Sequence, residues 1–198
     1  VAKSFNVGHD LSLLPFKGLY WKLKKSSNIS LSTNLYPVPD LNFPFLGIHF
    51  TPSADSDPII NIGPTAIPAF GRENYNFLEG IEPLMLFRNL GLLLEQYYNN
   101  NNGFRNYAHD QLFLSLLPLL IKEIQLLIPT IQAKDIEISK KVGIRAQLFN
   151  KKSKTLVDDF VCMQAKSSTH ILNAISPAFT ASFELADLII DEKIKHHL

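Results

Sequence analysis

Nine glycines are spread over 198 residues, and no two of them are separated by a single residue. A GxGxxG turn is therefore absent. A dinucleotide cradle needs that turn, because backbone donors and a helix N-terminus must close on the pyrophosphate. A Walker-type loop is missing as well. The one cysteine, Cys162, rules out a disulfide framework within the chain and points to a reduced, cytoplasmic setting. It lies in the apolar run Phe160-Val161-Cys162-Met163, where a buried inert thiol is the expected role rather than a nucleophile. The six histidines show no paired ligand spacing, so no metal site is expected; His196-His197 reads as a tail. A nucleophile elbow is absent too. With a formal charge of +1 and scattered lysines, the chain has no basic stripe for nucleic acid. Lys151-Lys152-Ser153-Lys154 reads as a solvated turn. Residues 1–10 carry no signal-peptide pattern. The apolar stretch 112–121 is broken by Pro118 and followed by Lys122-Glu123, well short of the roughly 20 residues that span a bilayer. It predicts a buried helix, or at most a surface in peripheral contact with the inner face of a membrane.

What is present is a globular composition, 46% apolar and 19% charged, long enough for one domain with a real core. The first third predicts strands at residues 11–23, 29–38, 45–51 and 58–62. A polar turn at 24–28 and a proline-bearing corner at 39–42 separate them. Prolines 37, 39, 44 and 52 mark corners and edges, because proline removes a ladder donor. Gly63-Pro64 ends the last of these strands. Residues 77–98 and 109–128 are Leu-rich without alternation and predict two helices, split by an Asn-rich break at 99–103. Strands return at 143–149, 156–163 and 170–174. A closing helix follows over about 177–195, with Ser176 as its N-cap and Pro177 in its first turn. The fold class is α+β: a mixed, largely antiparallel sheet packed against helices.

Three segments gather polar groups in apolar surroundings. Residues 36–50 hold Tyr36 and His49; the histidine shares a face with Gly47 and opposes Ile48, either as a satisfied structural residue or as a catalytic one. Gly143-Ile144-Arg145-Ala146-Gln147 places an arginine among small and apolar neighbours. A guanidinium there is satisfied by an internal carboxylate or by that of a ligand. Residues 173–178 turn from strand to helix with small residues at the corner. The turn suits approach by another molecule, although ordinary capping accounts for Ser176 and Pro177 equally well. Asp158-Asp159 is no dyad, because adjacent strand residues face opposite ways.

At these segments the chain resembles the L-2-hydroxyglutarate oxidase/dehydrogenase family, within the wider D-amino-acid-oxidase-like flavoproteins. The matching stretches are LLPFKGLYWKL from Leu13, LYPVPDLNFPFLGIHFT from Leu35, GPTAIPAFGREN from Gly63, VGIRAQLF from Val142, LVDDF from Leu156 and HILNAISPAFTAS from His170. They follow family order and together span nearly the whole chain; residues 77–128 match only in character. The resemblance implies that residues 1–198 are the C-terminal, substrate-binding portion of an FAD-dependent oxidoreductase, with a helical insertion at about 77–128. The N-terminal GxGxxG portion is expected elsewhere, on a separate chain or removed from a longer one.

On this resemblance Arg145 grips the substrate carboxylate, Tyr36 lines the same pocket, and His49 accepts the hydroxyl proton. Asn173, Ser176 and Pro177 form the turn that meets the flavin edge. The implied substrate is an L-2-hydroxy acid, with 2-hydroxyglutarate first. An amino acid or another 2-hydroxy acid is the alternative, and a catalytically silent fragment is a third reading. The chain departs from the family at Lys17 and Leu19, where Arg and Glu are usual, and at Thr65, Ile175 and Phe179. These departures put an ion pair to the companion portion, and the fit at the flavin edge, in question.

Overall fold

The computed structural model describes residues 1–39, 45–54, 59–114 and 116–194. The corner expected at 39–42 falls mostly outside them, as do Pro44, Pro58 and His196-His197. In chain order the strands are β1 (Leu11–Leu13), β2 (Phe16–Leu23), β3 (His49–Pro52), β4 (Ile60–Gly63), β5 (Ile67–Pro68), β6 (Ile136–Arg145), β7 (Leu148–Asn150), β8 (Thr155–Leu156), β9 (Val161–Ala165) and β10 (Ser168–Asn173). The α-helices are α1 (Pro83–Asn99), α2 (Phe104–Phe113), α3 (Leu117–Gln125) and α4 (Ser182–Ile189). The class is α+β, and the strand pairings among the described residues are antiparallel.

Where one domain was expected, the chain forms two compact units: residues 14–146, and residues 1–13 with 147–198. In the larger unit β2 is the central strand, in the order β3-β4-β2-β5 with β6 also paired to β2. Its sequence FKGLYWKL is apolar toward both faces, as a strand covered on both sides must be. One face packs against α3, where Leu120 and Ile124, four residues apart, project on one side of the helix. They close a core with Trp21, Ile48, Phe50, Ile62 and Ile136. A fully buried side chain of this size contributes about 1.5–3 kcal/mol. Pro52 lies on edge strand β3, where a missing donor costs little.

Several expectations change. Residues 29–38 form no ladder strand; a single Leu35–Phe50 bridge is the pairing there. Pro37 removes a donor just after the bridge, near the end of the segment. The first helix begins at Pro83 rather than near 77, with a proline in its first turn. The second is two helices, broken before the Pro118 turn. Asn100 and Gly103, both with positive φ, turn the chain between α1 and α2.

In the smaller unit β1 pairs with β7 and β7 with β8, while β9 and β10 form a hairpin with an irregularity between Ile171 and Asn173. Lys152 and Asp10 pair at 2.8 Å. The closing helix starts at Ser182, not at Pro177, and Ser176 is not its cap. Residues 177–181 are turns instead, with the Pro177 carbonyl accepting from the Ala181 N–H and the Thr180 hydroxyl. Asp158 and Asp159 lie between β8 and β9 rather than in one strand. Cys162 is half-buried.

Candidate functional site

β2 and β6 build the site. Their register sets Phe16 opposite Arg145 and Gly18 opposite Gly143. Residues two apart on a strand share a face, so Phe16, Gly18 and Tyr20 stand beside Arg145 and Gly143. Together with Thr65 and Phe45 they line a cavity of about 160 Å³. That is far below the 300–1,000 Å³ usual for drug-sized ligands, and it suits a small organic acid better than a dinucleotide.

The Arg145 guanidinium lies 5.0 Å from the Phe45 ring centroid. Phe45 is itself packed by Phe16 at 5.0 Å and by Tyr107 at 5.7 Å. A planar cation stacked on a ring presents its donors in the plane, the geometry that matches a carboxylate. Burial lowers the Arg145 pKa below its ordinary value, while Tyr107 and Tyr20 oppose that. An arginine stays charged throughout.

Thr65 is 2% exposed, and its hydroxyl and N–H extend the β2 ladder by accepting from the Leu19 N–H and donating to the Leu19 carbonyl. Lys17 points to the other face, where its ammonium donates to the Asn74 carbonyl, the Asn74 Oδ1 and the Asn76 carbonyl. The cation at this position therefore ties down the loop before α1. The same loop is closed by a two-pronged Arg72–Glu82 pair, which holds the Glu82 carboxyl down to about 2.

His49 opens β3, and its Nδ1 stands 2.8 Å from the Gly47 carbonyl. With Nδ1–H donating there, the Nε2 lone pair is left to accept a proton. Tyr36 stacks on the imidazole with centroids 4.4 Å apart, brought there by the Leu35–Phe50 bridge. Burial lowers the His49 pKa below its ordinary 6.5, the Gly47 hydrogen bond opposes this, and the charges of Arg145 and Lys141 lower it further. Above pH 6.5 the ring is neutral in folded and unfolded chain alike. As pH falls through the window between 6.5 and the depressed folded value, the unfolded chain takes up a proton first, so stability falls. Following the His49 C2–H resonance by NMR is expected to give a midpoint below 6.5. A midpoint above it would remove the burial argument.

The structure thus brings Arg145, His49 and Tyr36 into one unit, and the charge of Arg145 acts on His49. Tyr36 and His49 do not line the Arg145 cavity itself. Tyr20, Gly18 and Gly143 do, and the sequence reading passed over them. The period-2 alternation of 16, 18 and 20 was legible, but which strand opposes them was not. Asn173, Ser176 and Pro177 belong to the smaller unit. The Asn173 amide donates to the Asp159 carbonyl at 2.7 Å, which ties the end of β10 to the strand before it. Ser176 and Pro177 are exposed, and Phe179 more so at 94%. Exposed backbone and small residues fit an edge contact with a flavin. A dinucleotide cradle does not fit, because α4 begins well after the turn and no glycine-rich loop precedes it. Among the described residues no group of three His, Cys, Asp or Glu could hold a metal ion.

No protein-family model matches the chain. Curated relatives do. The chain is 34% identical, over 97% of its length, to a mitochondrial L-2-hydroxyglutarate dehydrogenase of Nematostella vectensis, of which it covers 42%. It is 35% identical over 94% of its length to an L-2-hydroxyglutarate dehydrogenase of Indibacter alkaliphilus, covering 45%. It is 34% identical over 92% of its length to the human mitochondrial enzyme of that name, covering 39%. The chain therefore spans less than half the length of these relatives.

Proposed function

We propose that this chain, whose sequence is related over nearly its whole length to the L-2-hydroxyglutarate dehydrogenases, supplies the substrate-binding portion of an FAD-dependent oxidoreductase. Its substrate is an L-2-hydroxy acid, 2-hydroxyglutarate first, oxidised to the 2-oxo acid. The observation that carries the reading is Arg145: a charged fork laid on Phe45 at the wall of a cavity sized for a small acid.

In this reading Arg145 binds and orients the α-carboxylate through two charge-assisted hydrogen bonds. Phe45 and Phe16 keep water from that contact. His49, neutral at physiological pH and held by Gly47 with Nε2 left to accept, lies outside the lining of the Arg145 cavity and takes the hydroxyl proton of a substrate that extends past that lining toward it. Tyr36 fixes the plane of the imidazole by stacking. The bound flavin supplies the hydride acceptor. The exposed Ser176 and Pro177 serve as its edge contact, the buried Asn173 holds their turn through Asp159, and the rest of the cofactor is held by a portion outside these residues. The 198 residues alone are inactive.

Product analysis separates this reading from its alternative. The complete flavoprotein is expected to convert L-2-hydroxyglutarate to 2-oxoglutarate faster than it converts other 2-hydroxy acids or amino acids. Ammonia release from an amino acid at the higher rate would move the assignment to an amino-acid oxidase.

Peripheral membrane association belongs to the same proposal. No helix among the described residues is long and apolar enough to cross a membrane. Phe77, Leu78, Leu84 and Phe87, on the loop before α1 and its first turns, are nevertheless exposed. Exposed apolar side chains grouped this closely along the chain are candidates for contact with a membrane or partner. The chain is expected to sediment with lipid vesicles, and the pair Phe77→Ser and Phe87→Ser to remain in the supernatant. Equal recovery of both in the supernatant would remove the membrane from the reading. We place the protein in the cytoplasm, at most on the inner face of a membrane; several relatives carry the word mitochondrial in their names, and fractionation decides between the compartments.

A further inference from the structure

Two glycines face each other across β2 and β6, and they are glycines for different reasons. At Gly18 a Cβ would stand 2.4 Å from the Pro64 Cβ, so packing alone demands the missing side chain. At Gly143 a Cβ would meet nothing within 4 Å. Gly143 is also absent from the positive-φ residues, so its backbone makes no demand either. A glycine inside a strand weakens it; where neither a turn nor packing requires it, it marks a bulge, such as the irregularity that β2 and β6 carry just beyond this pair, or the close approach of another molecule, and the cavity at Gly143 favours the latter.

The open space above Gly143 is part of the cavity that Arg145 lines. Residues 143 and 145 project on the same face, about 6.6 Å apart along the strand. A carboxylate gripped by Arg145 has room for the rest of its molecule over the bare Gly143, with Pro64, which covers Gly18, and Tyr20 at the wall. We propose that Gly143 is the specificity-determining position of this site. The room left by its missing side chain admits 2-hydroxy acids with an extended side chain, and adding bulk there restricts the site to short ones. This rests on the reading of Arg145 as the carboxylate anchor.

The test is calorimetric titration of three acids, L-lactate, L-malate and L-2-hydroxyglutarate, into the flavin-loaded complete protein. Wild type, Gly143→Ala, Gly143→Val and Arg145→Ala are compared. Because the position is open, both glycine variants are expected to keep the wild-type circular dichroism and flavin content. Gly143→Val is expected to weaken L-2-hydroxyglutarate by about tenfold or more while changing lactate by less than about threefold, since a few methyl groups in a pocket discriminate on that scale. Gly143→Ala falls between. An equal loss for all three acids, an unchanged series, or loss of flavin from the valine variant overturns the proposal; the last would show that the glycine serves the cofactor or the fold. Acid binding that survives Arg145→Ala undiminished overturns instead the anchor reading on which the proposal rests.

Discussion

Replacing Arg145 by alanine is expected to weaken binding of 2-hydroxy and 2-oxo acids by about a hundredfold or more. Truncating one partner of a desolvated, hydrogen-bonded charge pair costs about 2–5 kcal/mol, and each 1.4 kcal/mol is a factor of ten. The half-buried guanidinium lies on Phe45, and burial already works against its charge. A bound carboxylate reverses that penalty, so the interaction is strongest when the ligand is in place. Lysine is not an adequate substitute. An ammonium neither lies flat on the ring nor offers two parallel donors, so Arg145→Lys should recover only a small part of the affinity. Fold stability should fall by about 0.5–2 kcal/mol in the alanine variant, the range of a cation–aromatic contact from exposed to desolvated, so binding is lost by more than stability is. Isothermal titration measures the affinity and thermal unfolding the stability. An alanine variant that binds 2-oxoglutarate as well as wild type does would contradict the assignment.

The second large effect is on stability. Phe50→Ala should cost about 3–5 kcal/mol, the usual loss when a core phenylalanine is truncated and the cavity closes only in part. Phe50 is fully buried, and it is the residue through which β3 touches both β4 and the 29–38 segment. A typical domain has 5–15 kcal/mol in total, so this one change takes a large fraction of it. Trp21 is the single tryptophan and sits in the same core, which makes its fluorescence a direct probe of urea unfolding. The midpoint should fall with little change in slope. A loss under about 1 kcal/mol would mean that Phe50 is not close-packed. His49→Gln, one residue away on the opposite face, is expected to leave the midpoint nearly unchanged while removing the acid limb of kcat/KM. The pair of variants separates what β3 does for the fold from what it does for the site.

How much of this was legible beforehand follows from which physics sets each feature. β2 was readable because a strand buried on both faces must be apolar throughout, and FKGLYWKL nearly is. Arg145 stood out because a cation among Gly, Ile and Ala needs a reason. The Asn100–Gly103 break was legible from turn chemistry alone. By contrast, residues 29–38 looked like a strand by composition, yet they reach the sheet only at the Leu35–Phe50 bridge, because a ladder depends on a partner far away in sequence and not on the segment alone. The start of α4 was misplaced because Ser176-Pro177 satisfies the rules for a helix start, whereas the chain forms turns over 177–181 and begins its helix at Ser182. The pairing of a glycine packed by Pro64 with an open one could not be read at all. Gly18 and Gly143 are 125 positions apart, and their juxtaposition is a fact of register. Lys17 looked like a weakened copy of an arginine, yet three oxygens around its ammonium show a complete local role.

The most direct test of the central claim is flavin absorbance and L-2-hydroxyglutarate-dependent dye reduction, measured with this chain alone and after mixing with the FAD-binding portion of a related dehydrogenase. The account predicts no flavin and no activity alone, both in the mixture, and loss of activity but not of flavin with Arg145→Ala. A mixture that assembles yet neither holds flavin nor reduces dye would contradict it, and the roles given to Arg145, His49 and Tyr36 would go with it.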